Sequence, residues 1–236
     1  MNHPIQKFLP IVSLGLLAIL PISGHAAVLI SWEVGGINAG STPSFDGSPT
    51  AGIQSGSLTL GSGLSASSAS DTFGGSNFDQ VSLTDALAAG DYISFTITPG
   101  TGQSVSISDI SYNLGLATAT DFNAVLLSSR TGFTTSDALD TYSFGTASPA
   151  TRTIAISSPA LQGITTPTEF RVYGFRDASG TSTLRIRNLS GDDLIIAGTV
   201  SAAPLPEPAA ASLLAGVAVL TGAIATRRRR GAVARA

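Results

Sequence analysis

The chain has 236 residues, with 12 Lys and Arg against 15 Asp and Glu, two histidines, no cysteine, and 43% hydrophobic residues. Both histidines (His3, His25), the single methionine Met1 and the only lysine Lys7 precede Ala26. From Ala27 onward there is no imidazole, thiol or lysine amine, which removes Ser-His-Asp and Cys-His nucleophiles, Schiff-base chemistry, disulfides, and the usual ligands of zinc, copper and haem.

The first 26 residues read as a secretory signal peptide. Met1 to Lys7 is short, polar and carries one cation, Phe8 to Ile22 is almost wholly apolar, and Ser23-Gly24-His25-Ala26 places small residues for cleavage between Ala26 and Ala27. This predicts passage through the Sec translocon and cutting by signal peptidase.

The segment 27–203 has the length of about one domain. Its six arginines against fourteen carboxylates give a net charge of minus eight, so a phosphate backbone would be repelled and nucleic acid is not an expected partner. β-Branched and aromatic runs separated by Gly, Ser, Asp and Pro predict strands over Leu29–Val34, Ser57–Leu60, Tyr92–Thr98, Ser104–Leu114, Phe122–Ser128, Thr151–Ile156, Glu169–Phe175, Thr183–Leu189 and Leu194–Val200. In the fourth run, Val105, Ile107, Asp109 and Ser111 are expected on one face and Ser106, Ser108, Ile110 and Tyr112 on the other. Ser62 to Asn77, rich in Ser, Gly and Ala, reads as a long mobile loop or flap. Asp85–Ala89 reads as a single helical turn closed by Gly90, and Asp177-Ala178-Ser179-Gly180 as a hairpin turn. Short strands without crossover helices predict an all-β, antiparallel two-layer sandwich of jelly-roll type.

Three sets of side chains in this domain are candidates for a site. Trp32, the only tryptophan, is placed with Tyr92, Tyr112, Tyr173 and Phe175 as an aromatic platform for the apolar face of a sugar. Glu33, Asp192 and Asp193 would meet if the terminal strands pair, and offer carboxylate oxygens to Ca²⁺; no other cofactor is expected. Glu33 and Glu169, the only glutamates of the domain, are the candidate acid and base of a glycan hydrolase or lyase, which needs two carboxylates ~5 to 10 Å apart.

After the domain come Pro206-Glu207-Pro208, an apolar run from Ala209 to Ala225, the cluster Arg227, Arg228, Arg229 and Arg230, and a tail over 231–236. About 17 residues at ~1.5 Å each reach ~26 Å, close to a ~30 Å hydrocarbon core. The span is uncharged, and the arginines act as a basic stop-transfer that holds the tail in the cytoplasm, so that the domain faces outward. Prolines on both sides of Glu207 keep that segment extended and open to a protease.

Over 204–230 the tripeptide, hydrophobic span and arginine cluster resemble the PEP-CTERM sorting signal of exported bacterial proteins. The resemblance implies recognition by an exosortase, a membrane cysteine transpeptidase that cuts near the tripeptide, with only transient residence in the inner membrane. Ser31-Trp32-Glu33-Val34, Phe73-Gly74-Gly75, Asp91 to Ile97, Ile107 to Leu114, Phe170 to Phe175 and Asp193 to Val200 are similar to ectodomains that accompany this signal. The family supplies no catalytic residue. It implies a β-sandwich ectodomain, and with the residues above the expectation is a non-enzymatic protein of the cell surface or extracellular matrix, structural or associated with exopolysaccharide.

Overall fold

The computed structural model describes residues 26–117, 121–145, 150–178 and 180–204. In chain order its elements are β1 (Ala27–Trp32), β2 (Ser44–Asp46), β3 (Ser48–Pro49), β4 (Ile53–Ser55), β5 (Ser57–Leu60), β6 (Ser65–Ala66), β7 (Thr72–Phe78), α1 (Leu83–Ala89), β8 (Tyr92–Pro99), β9 (Gln103–Leu116), β10 (Phe122–Ser128), β11 (Asp140–Phe144), β12 (Ala150–Ala155), β13 (Thr168–Arg176), β14 (Ser182–Arg187) and β15 (Leu194–Ala202). Residues 1–25, read above as a signal peptide, the tripeptide at 206–208, the apolar run 209–225, the arginines 227–230 and the tail lie outside the described residues.

Two antiparallel sheets form the layers. Sheet I has the order β3-β1-β15-β9-β14-β7-β6, with β12 also paired to β9; sheet II has the order β11-β10-β13-β8-β5-β2, with β4 also paired to β8. Aromatic rings close the space between them. Trp32 of sheet I meets Phe95 of sheet II edge-on at 6.1 Å, Phe78 meets Phe122 at 5.7 Å, and Phe95 stacks on Phe170 at 5.3 Å. Pairs of this kind add to the burial of large apolar side chains, the main source of stability in a domain without disulfides.

The terminal strands are neighbours, with Trp32 opposite Leu194 and Ala27 opposite Gly198. The predicted helical turn extends to two turns over Leu83–Ala89. Ser82 caps it by accepting the Asp85 N–H at 3.2 Å, and Gly90 ends it in the left-handed region at φ 80°. Ala86, Leu83 and Leu87 pack the helix onto Val125, Leu127 and Tyr173, on the face of sheet II turned away from the main core.

Three expectations are corrected. Ser62 to Asn77 is not one mobile loop: it contains β6 and most of β7, and Thr72, Phe73, Gly74 and Gly75 are buried. Its small residues reflect close approach, because a β-carbon on Gly74 would clash with the Leu184 carbonyl oxygen and lie 2.6 Å from Arg185 Cα. The strict alternation of β9 fails at Ser108, where the register against β15 jumps from Ile107–Gly198 to Asp109–Ala197. This β-bulge lets Val105 and Ile107, and then Ile110, Tyr112 and Leu114, all turn inward. Asp177 to Gly180 is not a hairpin turn, since β13 belongs to sheet II and β14 to sheet I; the segment carries the chain from one layer to the other.

Candidate functional site

The pairing of β1 with β15 brings Glu33 and Asp192-Asp193 to the same end of sheet I. Asp193 is 1% exposed and its oxygens are occupied by donors. Oδ2 accepts the Val34 N–H at 3.0 Å, while Oδ1 accepts the Leu189 N–H at 2.8 Å and the Asn113 side-chain amide at 3.1 Å. Its main chain also pairs on both sides, the N–H donating to Trp32 O and the carbonyl accepting from Asn113 N–H, each at 2.9 Å. Asp193 therefore joins β1, β9 and the turn before β15. Asp192 is exposed, and exposed Glu33 accepts the Gly35 N–H at 2.9 Å. Among the described residues no group of three or more His, Cys, Asp or Glu is placed to hold a metal ion.

The aromatic platform does not assemble. Trp32 is 1% exposed, walled by Phe95 and by Gly47, where a β-carbon would come within 2.7 Å of the indole. Its side chain lies on the face of β1 that meets sheet II and packs in the interlayer core. Tyr112 is also interior, whereas Tyr92, Tyr173 and Phe175 belong to the helix-covered face of sheet II. There Arg171 fills the sugar's place: its guanidinium lies 4.3 Å from the Tyr92 ring centre and 4.0 Å from that of Phe133. It is held by both oxygens of Glu169, at 2.8 and 3.1 Å, and donates to the Tyr173 hydroxyl at 3.2 Å. Burial pushes the Tyr173 phenol up from its ordinary pKa. Glu33 and Glu169 thus stand on opposite layers, and Glu169 is fully engaged with Arg171.

A second ionic cluster bridges the layers. Arg152 of β12 makes a two-point contact with Asp140 of β11, at 2.6 and 2.5 Å, and stacks 4.3 Å above Tyr142. Tyr112 donates to Asp140 at 2.9 Å, and burial first, then the Asp140 charge, hold its phenol well above the ordinary range.

Concave surface among the described residues is found elsewhere. Two adjoining depressions of about 240 and 320 Å³ share Ile156 and Ser157, just past the end of β12. The larger follows the bulge on the outer face of sheet I, where Ser106 and Thr199 supply hydroxyls and Gln162 an amide whose Nε2 donates to the Ile107 carbonyl at 2.9 Å. Ser106 Oγ accepts the Gly163 N–H at 3.0 Å, leaving its own proton to donate, and the buried Ser108 Oγ has no protein partner. The smaller adds Thr131, Ser158 and Asp137, its one charged group. Such a surface can exchange hydrogen bonds with a neutral, hydroxyl-rich ligand.

Neither a model of any known protein family nor any curated protein matches this chain.

The cleft residues are a set that reasoning from sequence passed over. Ser106 and Thr199 are ordinary outward positions of strands, and only the bulge and the pairing of β9 with β15 bring them together with Ser157 and Gln162.

Proposed function

We propose that this protein is exported through the Sec translocon, cleaved by signal peptidase after Ala26, held briefly in the inner membrane by 209–225, and processed by an exosortase at Pro206-Glu207-Pro208. The observation that carries this reading is the order of that tripeptide, an uncharged apolar span and Arg227 to Arg230, beginning soon after β15 closes the sandwich at Ala202. Its resemblance to the PEP-CTERM signal supports a mature domain at the cell surface or in the extracellular matrix. The arrangement of the domain is of jelly-roll type, a reading supported by the pairing of first and last strands and by the passage of the chain between layers at β8–β9, β9–β10 and β13–β14. In the producing cell, Glu207→Ala should leave full-length protein in the membrane fraction. An unchanged mature mass in that variant would remove the sorting proposal.

Within that reading, the domain is a glycan-associated rather than a purely architectural component, with the hydroxyl-lined cleft as the contact surface. Neutral sugars suit it because the cleft holds hydroxyls, an amide and one carboxylate, and no arginine. Ser157 is exposed at the junction of the two depressions, so Ser157→Arg fills the cleft without disturbing the core. Binding to the producer's own exopolysaccharide should weaken by about tenfold, ~1.4 kcal/mol, with the unfolding temperature unchanged. Equal binding by the variant would move the contact elsewhere.

A further inference from the structure

Arg185 and Arg187 lie next to each other on the outer face of β14, because Leu184 and Ile186 turn into the core, and both arginines are partly exposed. The other four arginines of the domain are engaged. Arg152 and Arg171 hold carboxylates, Arg130 donates to the Ala160 carbonyl and Thr166 hydroxyl, and Arg176 donates to the Thr181 carbonyl. Arg185 gives its Nε–H to Ser67 Oγ at 2.8 Å, whereas Arg187 has neither a hydrogen bond nor an ion pair among the described residues. Negative charge is plentiful in the domain, with fourteen carboxylates against six arginines. Those at this end of sheet I are turned elsewhere: Asp71, beside the Thr72 that pairs with Arg187, has Oδ1 on the Gly36 N–H at 2.8 Å, and Asp193 is filled by its three donors.

The sheet leaves open ground around the pair. At the register of Arg185 the flanking residues are Gly74 of β7 and Gly115 of β9, so neither neighbouring strand raises a side chain beside it. Its stem lies over Gly74, where a β-carbon would come 2.9 Å from Arg185 Cγ. The bond to buried Ser67 fixes the far end of that stem. With Nε occupied, the two Nη groups remain to donate in parallel, which is the geometry of a two-point bond to a carboxylate. Burial first, then the Arg187 charge, lowers the Arg185 pKa from its ordinary value, as expected for positive charge without a counter-ion.

We propose that Arg185 and Arg187 bind a single carboxylate carried by a glycan, a uronate within an otherwise neutral chain. The inference rests on the glycan reading of the domain given above and adds the charge of one sugar residue. One isolated anion suits the pair better than a run of them, because the acidic domain repels a polyanion as a whole. The pair also shares the outer face of sheet I with the larger depression. From Ile107 at that depression to Gly115 beside Arg185, β9 runs eight residues, ~26 Å at ~3.3 Å each, so a chain of several sugars can meet hydroxyls at one end and arginines at the other.

The test uses the full chain in detergent at neutral pH and low salt, with two probes: a neutral oligosaccharide carrying one glucuronate, and the same oligosaccharide with that carboxyl reduced to the alcohol. Wild type should bind the uronate form about tenfold more tightly, and the double variant Arg185→Gln, Arg187→Gln should bind the two forms equally. Raising NaCl to about 1 M, where the screening length is ~3 Å, should reduce the preference. The glutamines keep part of each stem and remove the like charges, so the unfolding temperature of the double variant should not fall. Ser157→Arg should weaken both forms and keep the tenfold ratio; a ratio that persists with both affinities unchanged refutes the cleft and leaves the arginine site standing. Equal binding of the two forms by wild type, or an undiminished preference in the double variant, overturns the arginine site whatever the cleft does. Inorganic phosphate that displaces the uronate probe more strongly than free glucuronate does would assign the pair to phosphate, and overturns it equally.

Discussion

Asp193→Ala will lower the stability of the domain by about 3–5 kcal/mol, because it removes the acceptor shared by three N–H donors. The carboxylate is the shared acceptor for Val34 N–H, Leu189 N–H and the Asn113 amide. Alanine strips all three donors of their acceptor, the Val34 N–H and Asn113 amide in buried surroundings and the Leu189 N–H in a part-buried one, at ~1–3 kcal/mol for each buried donor and with incomplete additivity. Asp193→Asn keeps one acceptor oxygen and should lose roughly half as much. Denaturant unfolding will show the effect as a lower midpoint at constant slope. Glu33→Ala and Asp192→Ala, both on exposed side chains, should stay within about 0.5 kcal/mol of wild type. If Asp193→Ala fell within that same margin, its role as the fastener of the terminal strands would be refuted.

Trp32→Ala will cost a comparable ~3–5 kcal/mol, through lost burial and a cavity between the layers. The indole fills the space between Ile30, Phe95 and the close backbone at Gly47, and rigid strands on both sides prevent collapse into the vacated volume. Any fall in glycan binding by this variant should be accompanied by a fall in unfolding temperature, whereas Ser157→Arg should separate the two. A Trp32→Ala protein that keeps its stability and loses binding would return the tryptophan to the ligand surface.

Alternation made the long strands legible. Leu184 and Ile186 against Arg185 and Arg187, or Phe170 and Val172 against Glu169 and Arg171, declare an inner and an outer face directly, and the structure places them so. β7 was hidden because Thr72-Phe73-Gly74-Gly75-Ser76-Asn77-Phe78 has the composition of a loop; its glycines answer to the backbone of β14, which no local pattern records. The bulge at Ser108 was hidden for a related reason. One inserted residue exchanges the faces of everything after it, and period-2 reading has no term for insertion. Sites suffered more than strands. Trp32 beside Glu33 reads as an aromatic next to an acid, yet one side chain enters the core and the other solvent, as successive residues of a strand do. The Arg171 sandwich was half visible, since Glu169, Arg171 and Tyr173 share a face at spacing two. Phe133, its upper half, comes from a different part of the chain.

The place of β15 inside sheet I has a mechanical consequence. A tether that leaves the domain after Ala202 pulls on a strand bonded to β1 on one side and to β9, from Gln103 to Tyr112, on the other. It does not pull on a free edge that can unzip one rung at a time. Under the proposed anchoring, tension along β15 would have to shear the β9 ladder and, from Leu194 to Gly198, the β1 ladder with it, so the load falls on a strand held on both sides of its inner half.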